Sequence, residues 1–143
     1  MKYIDIASFH LADNVKISGN CSGTYNRAKN EVRIPSNQGR YENNQNCEWN
    51  ITAPKGRLIV LNFIKFDLED SEDCKYDYLK ISEGTANDGL KICGNKHISN
   101  HVSKTQRLHL KFVSDGNDTK EGFKLVYTTK GKFNFSTSKI IVR

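Results

Sequence analysis

The sequence predicts an all-β chain folded as an antiparallel β-sandwich, on three observations. Apolar and polar residues alternate with period two in several short runs. Clusters of Gly, Asn, Asp and Pro separate those runs. Four half-cystines, Cys21, Cys47, Cys74 and Cys93, are spaced for bridges and not for a metal. No segment shows helical periodicity with caps. The 143 residues fit one domain with a sizeable apolar core.

Taken in order, residues 1–20 hold a short apolar stretch, Ile6 to Ala12, between Asp5 and Asp13. It is too broken for the core of a signal peptide. They read as an N-terminal extension or linker, so either a signal has been removed or the sequence is part of something larger. In Cys47-Glu48-Trp49-Asn50-Ile51-Thr52 the odd positions are apolar, which turns Cys47, Trp49 and Ile51 inward and leaves Asn50 on the wet face. Leu58 to Phe63 is apolar on both faces and predicts a more central strand. Tyr76 to Ile81 predicts a strand with Leu79 and Ile81 inward. In Arg107 to Phe112 the even positions point inward, and Phe123, Leu125 and Tyr127 repeat the pattern. Turn signals stand between them at Pro54-Lys55-Gly56, Asn87-Asp88-Gly89, Cys93-Gly94-Asn95 and Asp115-Gly116-Asn117. Residues 129–143 read as a C-terminal extension whose Lys139 to Arg143 fits a strand, the start of a following domain or a frayed end.

Charge and hydropathy exclude several classes of function. The net charge of +6 is spread along the chain without a dense basic run, which speaks against nucleic acid as a partner. The longest apolar run, Leu58 to Leu61, is far short of a membrane-spanning helix, so membrane insertion is not expected. The four cysteines allow three connectivities. Pairing of neighbours, Cys21 with Cys47 and Cys74 with Cys93, is the simplest. Each such loop stabilises the fold by roughly 3–4 kcal/mol on the chain-entropy estimate. Such bridges place the chain in an oxidising, secreted or extracellular setting. Asn-x-Ser/Thr triplets at Asn20, Asn50, Asn117 and Asn134 agree with this, although Asn20 adjoins a half-cystine.

A longer pattern then becomes readable. It runs Cys47-Glu48-Trp49-Asn50-Ile51, Pro54-Lys55-Gly56, Leu61-Asn62-Phe63, Phe66-Asp67-Leu68-Glu69 and Cys74-Lys75-Tyr76-Asp77-Tyr78-Leu79-Lys80-Ile81. It continues through Gly84, Cys93-Gly94, Phe112-Val113-Ser114-Asp115, Gly122-Phe123 and Tyr127. In this order and spacing the chain resembles a CUB domain from Cys21 to Tyr127, and the expected module spans residues 21–128. The resemblance implies a jelly-roll-like antiparallel sandwich with the two neighbour-paired disulfides, and a binding module that is not an enzyme. One departure lies before the second cysteine, where Ile34-Pro35-Ser36-Asn37-Gln38-Gly39-Arg40-Tyr41 lacks the family's usual prolines.

Chemistry concentrates in Asp67, Glu69, Asp70, Glu72, Asp73 and Asp77, six carboxylates within residues 67 to 77 of an otherwise basic chain. The bland reading is a solvated acidic loop. An EF-hand is excluded, because Glu72 and Tyr78 stand where its loop needs Gly and Glu. A calcium site assembled from separate loops remains, with Ser114-Asp115-Gly116-Asn117-Asp118 as the second source of oxygens. The family resemblance implies Ca2+ held by Glu69, Asp77 and Asp115, with Asp118 from the turn. Tyr41 and Asn117 would support the ligands from behind. It further implies that the calcium-ordered acids accept Lys or Arg of an extracellular protein ligand, with neighbouring domains of a larger chain as further partners.

The rival function is calcium-independent binding of sulfated glycans or anionic surfaces. It would use Arg107, His109 and Lys111 on one wet strand face, with Lys124 alongside. The competing bland reading is a row of solubilising charges. Enzymatic readings find no nucleophile elbow, zinc-protease motif or phosphate loop. His97 and His101 are read as lying in a surface loop without an acidic partner.

Overall fold

The computed structural model describes residues 21–35, 39–84 and 88–132. The expected N-terminal extension, the turn residue Asn87, the sequons at Asn20 and Asn134, and the stretch Lys139 to Arg143 lie outside the described residues. Nine strands and no α-helix occur among the described residues: β1 Gly23–Tyr25, β2 Lys29–Ile34, β3 Asn46–Thr52, β4 Arg57–Asp67, β5 Tyr78–Ser82, β6 Leu90–Ile92, β7 His101–Val102, β8 Arg107–Val113 and β9 Gly122–Gly131.

They form two sheets, one ordered β1-β3-β8-β5-β6 and the other β2-β9-β4-β7. All pairings are antiparallel except β1 with β3, which is parallel. The expected all-β, jelly-roll-like sandwich and both neighbour-paired disulfides, Cys21–Cys47 and Cys74–Cys93, are present.

Period-two alternation explains which faces meet. Trp49 and Ile51 of β3 lie opposite Leu110 and Leu108 of β8, and Phe112 and Leu110 lie opposite Leu79 and Ile81 of β5. All are buried. The other sheet supplies Val32, Ile34, Ile59, Leu61, Phe66, Phe123, Leu125 and Tyr127. Aromatic rings join the layers. Trp49 meets Phe123 edge-on at 6.0 Å between centroids, and Phe112 meets it at 5.9 Å. Such pairs contribute roughly 0.5–1.5 kcal/mol each beyond their buried area.

One expectation holds in part and a second needs correction. Leu58 to Phe63 lies inside its sheet, between β9 and β7, as expected of a more central strand, with Ile59 and Leu61 buried and Leu58 and Val60 half-covered. A sandwich has two layers, so the outer face has only cross-strand neighbours for cover. The same strand runs on to Asp67 through a bulge at Ile64, an exposed residue between Phe63 and Lys65. The bulge changes the inward phase from odd to even, so that Phe66 meets Phe123 and Leu68 is buried. Second, the strand expected from Tyr76 begins at Tyr78. Tyr76 is exposed and Asp77 is fully buried ahead of the strand.

The start of β9 has no space for a side chain. Gly122 has φ +83°, and a Cβ there would lie 1.8 Å from the carbonyl oxygen of Ile34. Replacing Gly122 with Ala therefore combines left-handed backbone strain with a clash against β2. Chemical denaturation should show a loss of roughly 2–5 kcal/mol; a loss below about 0.5 kcal/mol, the ordinary surface range, would contradict this packing.

Candidate metal centre

Three loops at one end of the sandwich place acids together. Tyr78, at the start of β5, pairs with Val113 at the end of β8. Asp77 and Asp115, just beyond these ends, are thereby neighbours, and the Asp115 N–H donates to Asp77 Oδ1 at 2.8 Å. Glu69 enters from the end of β4 in the other sheet. One carboxylate oxygen from each of Glu69, Asp77 and Asp115 can be chosen so that all lie within 4.8 Å of one another.

The backbone around them is tied down. The Leu68 N–H donates to the carbonyl of Gly94 at 3.1 Å, and the Gly94 N–H donates to that of Glu69 at 3.4 Å. The Cys74–Cys93 bridge holds the same two loops. On the other side, the Asn44 N–H donates to the carbonyl of Asp115 at 2.8 Å, and Ser114 Oγ donates to that of Glu42 at 2.7 Å. The last two contacts were not legible in the sequence, because they join residues about 70 positions apart.

Tyr41 joins the two halves of the cluster. Its hydroxyl donates to Asp77 Oδ2 at 2.5 Å and accepts the Glu69 N–H at 3.0 Å. Burial, then the bond to Asp77, pushes the Tyr41 phenol far above its ordinary value, so it remains a donor. Asp77 has no exposed surface, and these contacts with Tyr41 and Asp115 satisfy one bond at each carboxylate oxygen. Glu69 is treated differently. Its Oε2 is shut off from solvent and has no hydrogen-bond partner among the described residues. Burial pushes its carboxyl above the usual range, and the charges of Asp77, Asp115 and Asp118 push the same way, with Lys120 opposing them.

Of the remaining expected site residues, Asp118 is exposed and outside the three-oxygen cluster, although its charge reaches Glu69. Asn117 is exposed and donates its backbone N–H to Asp115 Oδ1 at 3.0 Å. The other acids of the 67–77 run disperse. Asp67 accepts the Glu121 N–H, Asp70 lies beside Cys93 and Gly94, and Glu72 and Asp73 are exposed in a 3-10 turn.

The rival basic face is altered by its neighbours. Arg107, His109 and Lys111 do share a face of β8, but Glu48 of β3 stands among them, 3.3 Å from His109 and 3.1 Å from Lys111. Lys111 and then His109 hold the Glu48 carboxyl below its usual range. Lys124 is not alongside, since it belongs to β9 in the opposite sheet. His101 also differs from expectation: it lies in β7, with Nε2 3.4 Å from Glu83 Oε1. Glu83 directly follows β5 and brings this acid from the other sheet.

Residues 21–127 match the family model of the CUB domain. The chain is 35% identical over 127 residues to human cubilin, a match covering 87% of this chain and 4% of cubilin. The full extracellular region of zebrafish Gpr126/Adgrg6 shares the fold at a TM-score of 0.72 and 25% identity, covering 79% of this chain and 15% of that one. The MASP-1 CUB2 domain, in a structure bound to Ca2+, shares it at a TM-score of 0.66 and 24% identity, covering 74% of this chain and 96% of that one. The sequence thus spans a small part of the length of the large proteins it matches.

Replacing Tyr41 with Phe removes the hydroxyl, and with it one donor and one acceptor at the centre of the cluster. The buried Asp77 oxygen and the Glu69 N–H each lose their described partner, so urea denaturation should show a loss of about 1–3 kcal/mol. A variant as stable as the wild type would mean that neither bond matters.

Proposed function

This chain belongs to the CUB domain family, and from that premise we propose that residues 21–128 form an extracellular, non-catalytic module for calcium-dependent protein recognition, with extensions at 1–20 and 129–143. The carrying observation is Glu69 Oε2, a shielded carboxylate oxygen without a donor among the described residues, set against two further carboxylates. Calcium–oxygen distances of about 2.3–2.6 Å allow oxygens on one ion to be up to about 5 Å apart. The 4.8 Å cluster fits that limit. The donors are all oxygens, which suits a hard cation and not a thiolate-seeking or imidazole-seeking metal.

In this reading Glu69, Asp77 and Asp115 hold the ion, and Asp118 with the carbonyls of its turn adds oxygens. Tyr41 and the backbone of Asn117 fix the carboxylates in orientation. The ion supplies positive charge that offsets the repulsion among the acids. Glu69 and Asp115 are partly exposed, so their remaining lone pairs face an incoming Lys or Arg of a protein ligand. The affinity of one such contact is modest and grows when several modules act together. Exposed Asn50 and Asn117 are the described positions where N-glycans would attach.

Thermal unfolding in millimolar calcium against excess EDTA tests the ion. The wild type should gain several degrees with calcium, as mass action on a native-state site requires. A carboxyl whose value is raised by folding costs stability once pH exceeds that value. Glu69→Gln should therefore melt no lower than the wild type in EDTA, yet show no gain with calcium. Superimposable wild-type curves with and without calcium would sink the reading. For the ligand, immobilised lysine-bearing peptides should retain the protein in calcium and release it in EDTA. Acetylating those lysines should abolish retention; retention unaffected by acetylation would rule out the cation as the recognised group.

A further inference from the structure

A row of cations crosses the outer face of the four-stranded sheet. Strand register sets Arg33 of β2 directly opposite Lys124 of β9, and Lys124 directly opposite Lys65 of β4. Their neighbours Ile34, Phe123 and Phe66 are buried, so the three basic side chains share the opposite, outer face. With strands about 4.8 Å apart, the row is about 10 Å long. Arg40 borders the same groove, its Nη1 donating to the carbonyl of Thr119 at 2.5 Å.

Like charges directly opposite one another in a sheet are destabilising. On the other sheet Lys111 has Lys80 opposite it on one side, but Glu48 opposite it on the other, 3.1 Å away. Here the described ion pairs bring only two carboxylates to four cations. Glu31 lies 3.5 Å from Arg33 and 3.3 Å from Lys124, and Glu121 pairs with Lys65. Both carboxylates are exposed, so solvent weakens the compensation. A net positive row that crosses three strands is matched by a linear chain of oxyanions lying across them.

We infer that Arg33, Lys65 and Lys124, with Arg40 beside them, form a binding site for a sulfated glycan. Arg offers a planar fork to each sulfate, and Lys a point charge. Long basic side chains and Glu121 rim the groove over buried Ile34 and Phe123, which suits an extended polyanion better than an enclosed small molecule. None of these side chains belongs to the carboxylate centre, so binding is independent of calcium.

The test is binding of a heparin oligosaccharide in EDTA, at several salt concentrations, to the full chain. The wild type should bind, with affinity falling steeply as salt rises. Arg33→Gln/Lys65→Gln/Lys124→Gln should lose at least about tenfold, the size of one charge-assisted contact. Arg107→Gln/Lys111→Gln, on the other sheet, should stay within about twofold, and desulfated heparin should not bind. Should the triple variant fail to fold, the exposed pair Arg33→Gln/Lys65→Gln carries the same comparison. The inference is overturned by unchanged affinity in the folded variant, by an equal loss in the Arg107/Lys111 variant, or by equal binding of desulfated heparin. Binding of phosphatidylserine vesicles without binding of heparin would overturn it as well.

Discussion

Phe123 lies at the centre of an aromatic chain that joins the two sheets. Its ring stacks on Phe66 at 6.2 Å and meets Trp49 and Phe112 edge-on from the facing layer. Phe112 in turn meets Tyr41 at 5.3 Å, and the hydroxyl of Tyr41 is bonded to Asp77. The apolar core and the carboxylate cluster are therefore one continuous construction. The aromatic packing that fixes the separation of the sheets also fixes how far Tyr41 reaches. Gly122, immediately before Phe123, allows β9 to come close enough to β2 for this packing to form.

The same construction holds a charge where water cannot. A buried carboxylate is costly unless hydrogen bonds or cations compensate it. Asp77 has donors on both oxygens, whereas Glu69 has one shielded oxygen with no hydrogen-bond partner among the described residues and neighbouring acids close by. Such an arrangement stores repulsion that a cation relieves. The loops bear it because they are fastened from outside: by the Cys74–Cys93 bridge on one side and by Ser114 with residues 42–45 on the other.

Elsewhere the fold decides which charges are left over. Glu48 is placed by β3–β8 pairing between His109 and Lys111, and there the basic face becomes a local ion-pair network. On the opposite sheet the pairing of β2, β9 and β4 aligns Arg33, Lys124 and Lys65 instead. The three cations are far apart in the chain and belong to strands with unremarkable sequences. Only register makes them a row.

Alternation and cystine count by themselves determined the all-β class, the inward residues of β3, β8 and β9, and the dry positions of Leu79 and Ile81. These follow from side chains pointing to opposite faces at successive residues, a local property of extended backbone. The short strands β1, β6 and β7 left little trace, because two or three residues show no period. The family resemblance brought Glu69, Asp77, Asp115 and Tyr41 into view, while the wider acidic run at 67–77 could not say which of its members converge. That choice depended on the bulge at Ile64, which resets the phase of β4 before Phe66. It depended equally on the β5–β8 register, which sets Asp77 beside Asp115. Both are long-range pairings, and proximity between distant residues exists only once the sheets have formed.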